Sequence, residues 1–163
     1  MEWMKQDMSL EKAKIYLEKY GLAEEIMEFP VSSATVGEAA LAIGCSEREI
    51  AKTLSFLVDD RPILIVVSGD SKVDNGKYKA EFHTKAKMIP FELVEPMTGH
   101  AVGGVCPFGV NEDASVYLDA SLKSLETVYP ACGSSNSAIR LTTERLAEIT
   151  NYVKWVDVCK SAS

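Results

Sequence analysis

The chain has 163 residues, 47% of them hydrophobic and 25% charged, with a formal net charge of −7. That length buries one good core, so a single domain over residues 1–163 is expected. The acidic balance disfavours broad non-specific attraction to nucleic acid, although a local basic patch can overrule net charge.

The longest apolar runs, Pro62 to Val67 and the pieces of Lys52 to Val58, are too short to span a bilayer. The amino terminus, Met1 to Asp7, lacks the apolar segment and small-residue cleavage site of a secretory signal, so a cytoplasmic protein without membrane attachment is expected. Cys45, Cys106, Cys132 and Cys159 are 61, 26 and 27 residues apart, and the only histidines are His83 and His100. A structural zinc site wants close ligand pairs, so neither metal nor cofactor is expected and the cysteines read as reduced thiols.

In chain order, Ser9 is placed to cap an amphipathic helix carrying Leu10, Ala13, Leu17 and Tyr20, with Gly21 at its exit. A short strand over Ile26 to Phe29 follows. Thr35 with Glu38 and Ser46 with Glu49 spell two capping boxes that start helices ending near Gly44 and Ala51. Leu54 to Val58 and Ile63 to Val67 are β-branched and aromatic runs around Asp59-Asp60-Arg61-Pro62, which predicts a central antiparallel hairpin. Ser68 to Gly76 is turn-rich, Lys77 to Phe82 helical, Ala86 to Met88 a short strand, and Pro90 opens a helix with Phe91, Leu93 and Val94. Val116 to Leu118, Thr127 to Tyr129, Ala138 to Leu141 and Tyr152 to Val156 read as strands. A brief helix carries Leu122 and Leu125, and another is capped from Thr142 or Thr143. The set describes an α+β domain: a curled, mixed, mostly antiparallel, barrel-like sheet with short flanking helices.

The densest unusual chemistry is Gly103-Gly104-Val105-Cys106-Pro107-Phe108-Gly109. It matches neither GxGxxG nor GxxxxGK[ST], and it is either a wall of backbone N–H donors or a tight structural turn. Lys52 is the only charge in the apolar stretch to Val58; its ammonium either binds an anion or oxyanion in a concave site or snorkels to water. Cys106 lacks an assured base and is not expected to act as a nucleophile. Ala131 to Ser137 is a second small-residue cluster, serving a cavity or forming a solvent loop. Asp119 positions a ligand or caps the turn at Ser121, with the cap favoured. Lys72, Lys77, Lys79, Lys85 and Lys87, interleaved with Tyr78, Phe82 and His83, form the one local basic region, an RNA contact or a solvated face.

Taken together, Lys52-Thr53-Leu54 opening a central strand, Gly99 followed by the Gly103 to Gly109 loop, Asp119 at a strand end, and Ala131-Cys132-Gly133 before Ala138 to Leu141 resemble a known family. It is the free-standing aminoacyl-tRNA deacylases of the YbaK type, related to the editing domain inserted in bacterial prolyl-tRNA synthetases. The likeness runs from the first helix to about Ile149. It implies hydrolysis of the ester joining a mischarged amino acid to the terminal adenosine of a transfer RNA, cysteine or alanine on tRNA(Pro), cysteine first. It implies that Lys52 is essential and that Gly103, in the GxxxP stretch ending at Pro107, borders the amino-acid pocket. Lys52 and Gly103 are thus the expected catalytic positions. Thr53, Gly104, Val105, Cys106, Pro107, Asp119, Gly133 and Ser137 are the expected substrate contacts. The lysines at 72, 77, 79, 85 and 87 are the expected tRNA contacts, and association with prolyl-tRNA synthetase is an expected partnership. The family commonly carries serine where this chain has Cys106. The nucleophile, water or a ribose hydroxyl, stays open, and a noncatalytic small-molecule or RNA-binding module using the same cleft is the alternative.

Overall fold

The computed structural model describes residues 2–161. Its centre is a hairpin of β2 (Ile50–Val58) and β3 (Arg61–Ser68). Val58 pairs with Arg61 across a two-residue turn, and Asp59 and Asp60 have φ of 51° and 63°. That backbone matches the strand twist, and Asp tolerates it better than most residues. Both strands begin earlier than the apolar runs suggest, and Pro62 lies inside β3 rather than in the turn. Its partner Leu57 sends its N–H away from the pair, to Lys87 O at 2.8 Å. Pro62 therefore occupies a position where no ladder donor is needed.

Around this hairpin stand β5 (Ser115–Asp119), β6 (Thr127–Pro130), β8 (Leu141–Thr142) and β9 (Tyr152–Val156), in the order β8-β6-β2-β3-β5-β9. Two ribbons lie apart: β1 (Met27–Glu28) with β7 (Ser137–Ala138), and β4 (Ser71–Val73) with β10 (Cys159–Ser161). Among the described residues four of the seven strand pairings are antiparallel, which is the mixed, mostly antiparallel curled sheet expected.

β3 is buried from Pro62 to Ser68, with cores on both faces. Leu64 and Val66 pack with Val116, Leu118, Phe108 and residues of α1 (Glu2–Glu18) and α5 (Thr143–Ile149); Ile65 and Val67 pack with Phe56, Val156 and Tyr78 of α3 (Asn75–Phe82). A strand dressed this way reads as an unbroken apolar run because neither face meets water. α2 (Val36–Ile43) makes a smaller cluster with Ile50 and Tyr129 at one end of the hairpin.

Several local expectations change. Ser9 is not a cap: α1 begins seven residues earlier, at Glu2, and Ser9 is interior, where its hydroxyl is used by a distant loop. The Thr35–Glu38 capping box starts α2 as expected, but the Ser46–Glu49 box starts only a single 3-10 turn, Glu47–Glu49. Ala86 to Met88 contributes one bridge, Phe56 to Met88. After Pro90 come a 3-10 turn and the short α4 (Val94–Thr98), ended by Gly99. Ala138 to Leu141 divides between β7 and β8. Among the described residues no helix is long and apolar enough to cross a membrane.

Candidate active site

Where β2 begins, three other segments converge on a cavity of about 180 Å³. β2 supplies Ala51, Lys52 and Thr53, and the glycine loop supplies Gly103 and Val105. Thr35, Val36 and Ala39 come from the start of α2, and Tyr129, Ala131 and Ser137 from β6 and the turn leading into β7. Thr35 is held in extended backbone by its capping box, accepting from Glu38 N–H at 3.1 Å, so the signal that starts the helix also shapes a wall.

The segment before α2 is strapped to the far side. Phe29 N–H donates to Asn136 O at 2.8 Å, Asn136 Nδ2 returns a bond to Phe29 O at 2.9 Å, and Ser33 N–H donates to Ser135 O. Beneath, the Ser134 hydroxyl donates to Ser137 Oγ at 2.7 Å. The Ala131 to Ser137 cluster is therefore not a free solvent loop: its two ends, Ala131 and Ser137, line the cavity and the residues between them hold the strap.

Lys52 is half-buried, and burial is the main cause of its lowered pKa. Its ammonium donates to Ser71 O at 2.6 Å and Gly69 O at 3.3 Å. Gly69 abuts α2, since a Cβ there would lie 2.9 Å from Val36 Cγ1, so the lysine is anchored at the cavity rim. Gly104 N–H is spent on Ala101 O at 3.0 Å, whereas among the described residues the N–H groups of Gly103 and Val105 find no acceptor. Gly103 is exposed with φ of +87°. An ammonium and free backbone donors on one small cavity form an anion- or oxyanion-binding set.

Of the residues expected at the site, the structure brings together Lys52, Thr53, Gly103, Val105 and Ser137. Gly104, Cys106, Pro107, Asp119 and Gly133 lie outside the cavity. Gly104 and Gly133 press their backbones together, a Cβ on Gly104 falling 2.4 Å from the Gly133 carbonyl; their lack of side chains serves packing. Cys106 is fully buried, and burial pushes its thiol up to about 12, so it offers neither a substrate contact nor a thiolate. Pro107 is buried on the opposite side of the loop. Asp119 is fully buried: Oδ2 accepts from Ser121 N–H and Oδ1 from Val158 N–H, each at 2.9 Å, so it is the cap and also ties down the approach to β10.

The five lysines do not share one face with Lys52. Lys72 lies beside it, on β4. Lys77 is paired with Asp157 at 3.2 Å, Lys79 and Lys85 border another depression, and Lys87 sits at the far end of β2.

Sequence reasoning missed the contributions of Thr35, Val36, Ala39 and Tyr129, whose role comes from convergence rather than from reactive chemistry. It also missed His100. This buried imidazole accepts a hydrogen bond from the Ser9 hydroxyl at Nδ1 (2.7 Å) and donates from Nε2 to Phe108 O (2.6 Å), with Ser9 accepting from Ala101 N–H, an assignment fixed by the bonding network. Burial drops its pKa to about 4. It is a neutral brace under the glycine loop. Among the described residues no cluster of His, Cys, Asp and Glu is arranged to hold a metal ion.

Comparison with known proteins supplies the family. Residues 31–149 match the family model of the aminoacyl-tRNA editing domain. The chain is 50% identical over 155 residues to the protein YwhH of Bacillus subtilis, covering 94% of this chain and 98% of YwhH. It is 26% identical to EbsC of Enterococcus faecalis, named as a candidate Cys-tRNA(Pro)/Cys-tRNA(Cys) deacylase, over 87% of this chain and 85% of that one. A crystal structure of a candidate trans-editing enzyme for prolyl tRNA synthetase superposes with a TM-score of 0.83 at 30% identity, covering 94% of this chain and 98% of the other. The protein belongs to the aminoacyl-tRNA editing domain family, a family of ester hydrolases.

Proposed function

We propose that this protein hydrolyses the ester of a small amino acid wrongly attached to tRNA(Pro), acting in trans beside prolyl-tRNA synthetase, with cysteine the preferred substrate and alanine next. The observation that carries the reading is the small cavity of about 180 Å³ with Lys52 on its rim and N–H groups at Gly103 and Val105 that find no acceptor among the described residues. The names given to EbsC and to the trans-editing structure support the choice of transfer RNA and, for EbsC, of cysteine.

The cavity's size supplies the selectivity editing needs. Val36, Ala39, Ile50, Ala131 and Ala138 leave room for a short side chain, and a second site that admits only small products spares the larger, correct prolyl ester. Lys52 stabilises negative charge on the terminal phosphate region or on the ester oxygen, and Gly103 and Val105 donate to the carbonyl oxygen as it becomes an oxyanion. No carboxylate, thiol or imidazole lines the cavity among the described residues. A proton relay through the substrate balances the step: the neighbouring terminal ribose hydroxyl takes the proton of the attacking water while passing its own to the departing ester oxygen, which leaves as a ribose hydroxyl, and the amino acid leaves as the free acid. Orientation and electrostatics then carry the rate.

The test is a panel of tRNA(Pro) charged with cysteine, alanine, serine or proline. Cysteinyl and alanyl esters should be released about 10- to 200-fold faster than prolyl, the discrimination a size-selective pocket provides. Prolyl release at the same rate would refute the substrate assignment.

A further inference from the structure

The ribbon of β4 and β10 sets Lys72 directly opposite Lys160. Residues opposed in this way lie on one face with Cβ atoms roughly 5 Å apart, and like charges there oppose the pairing. Both lysines are exposed, and among the described residues neither ammonium makes a hydrogen bond or an ion pair. Asp74 is the acidic group that feels Lys160, but its carboxylate is committed to Lys77 N–H as the cap of α3. A three-residue ribbon that opposes two like charges, relieved only in part by Asp74 near Lys160, is a feature that folding alone does not ask for.

Its position adds the second observation. Ser71, whose carbonyl holds the Lys52 ammonium, immediately precedes Lys72, and Lys72 is close enough to Lys52 to depress its pKa further. Beside the ribbon runs a depression of about 480 Å³ with Arg48 and Lys160 on its border and the Ser121 and Ser124 hydroxyls between them, Arg48 Nη2 reaching Ser124 Oγ at 2.6 Å. The carboxylates at that depression are engaged: Asp119 by two backbone N–H groups, Asp157 by Lys77, and Asp70 by the Ser68 hydroxyl. Of these only Asp157 is neutralised by a cation, and Asp119 is fully buried, so at the exposed edge the cations Lys72, Lys160 and Arg48, without an ion pair among the described residues, stand outward from Lys52 with Asp70 as the acidic group among them.

We propose that the β4–β10 ribbon is the track for the phosphodiester backbone of the RNA strand that ends in the cavity, with Lys72 and Lys160 as its phosphate-binding pair. The proposal rests on the editing reading for the direction of the strand, but not for the binding itself. It replaces the five-lysine contact expected from sequence. Lys87 pairs at Leu57, five residues along β2 from Lys52, which is about 16 Å away at the rise of a strand.

The experiment measures binding of uncharged tRNA(Pro) transcript by fluorescence anisotropy across a salt series, alongside hydrolysis of mischarged tRNA. The double variant Lys72→Gln/Lys160→Gln should weaken binding on the order of tenfold and lower the slope of log affinity against log salt by about 1.4, the share of two phosphate contacts on a single strand. Its melting temperature should not fall, because a repulsion is removed. Lys85→Gln/Lys87→Gln should leave affinity and slope unchanged. Ribbon and control variants that behave alike, or a wild-type protein that does not bind the transcript, would overturn the proposal. Wild-type binding through the ribbon without release of any amino acid would instead refute the editing reading and leave the ribbon assignment standing.

Discussion

Gly103 shows how one dihedral decides what a substitution means. Its φ of +87° lies in the left-handed region that a side chain enters only at a cost. A glycine that borders an amino-acid pocket invites the expectation that Gly103→Ala acts by pushing a methyl toward the bound amino acid; the backbone conformation assigns the effect to strain instead. The variant should lose about 1–2 kcal/mol of stability and slow the release of glycyl, alanyl, seryl and cysteinyl esters together, because the donors at Gly103 and Val105 shift for every substrate. Urea melts read beside the four rates check this; unchanged stability with a rate loss that grows with side-chain size would restore occlusion. Lys52 was legible because a lone cation before an apolar strand is conspicuous, but its anchors were not. They are backbone carbonyls at Gly69 and Ser71, which any residue could supply, so no side-chain pattern announces them.

At the scale of elements, His100 joins α1 to the glycine loop, and that joint responds to pH. Its pKa falls from 6.5 to about 4 through burial, with the bond to Phe108 O opposing and the Lys12 charge reinforcing the shift. Between those values the unfolded chain binds a proton that the folded chain refuses. Stability is therefore complete above pH 6.5 and declines as pH falls toward about 4, by roughly 1.4 kcal/mol per pH unit. The stabilities of wild type and His100→Gln, read from urea melts, should diverge by a total of about 2 kcal/mol between pH 6.5 and about 5, a window above most carboxylate titrations. Parallel curves would mean that the imidazole titrates normally. Elements with strong local signals were readable in the sequence: the β2–β3 hairpin, the Thr35–Glu38 box and the exit of α1 at Gly21. The β4–β10 ribbon was not, because Ser71-Lys72-Val73 and Cys159-Lys160-Ser161 are short and polar and owe their pairing to each other across 88 positions of chain. Ser9 misled for a related reason: a serine capping a helix and a serine bonding a distant imidazole look the same in one dimension.

The whole molecule uses one sheet to hold apart two kinds of surface. Two buried clusters on β3 fix the hairpin rigidly, and the end of that hairpin presents Lys52 between a small apolar cavity and a positively charged ribbon. An acidic protein can in this way offer RNA one positive edge while remaining repulsive elsewhere, which makes substrate capture salt-dependent and orientation-specific. Among the described residues the cavity holds no carboxylate, thiol or imidazole base, so the chemistry depends on placement of the substrate by Lys52 and the glycine-loop donors. Single-turnover deacylation of Cys-tRNA(Pro) by wild type and by Lys52→Met, which keeps an unbranched apolar stem without the charge, tests that dependence most directly. With the variant shown to be folded by its melt, the rate should fall by about 100-fold or more, the loss expected when one charge-stabilising group leaves a preorganised site; a folded Lys52→Met protein that deacylates at the wild-type rate would contradict it.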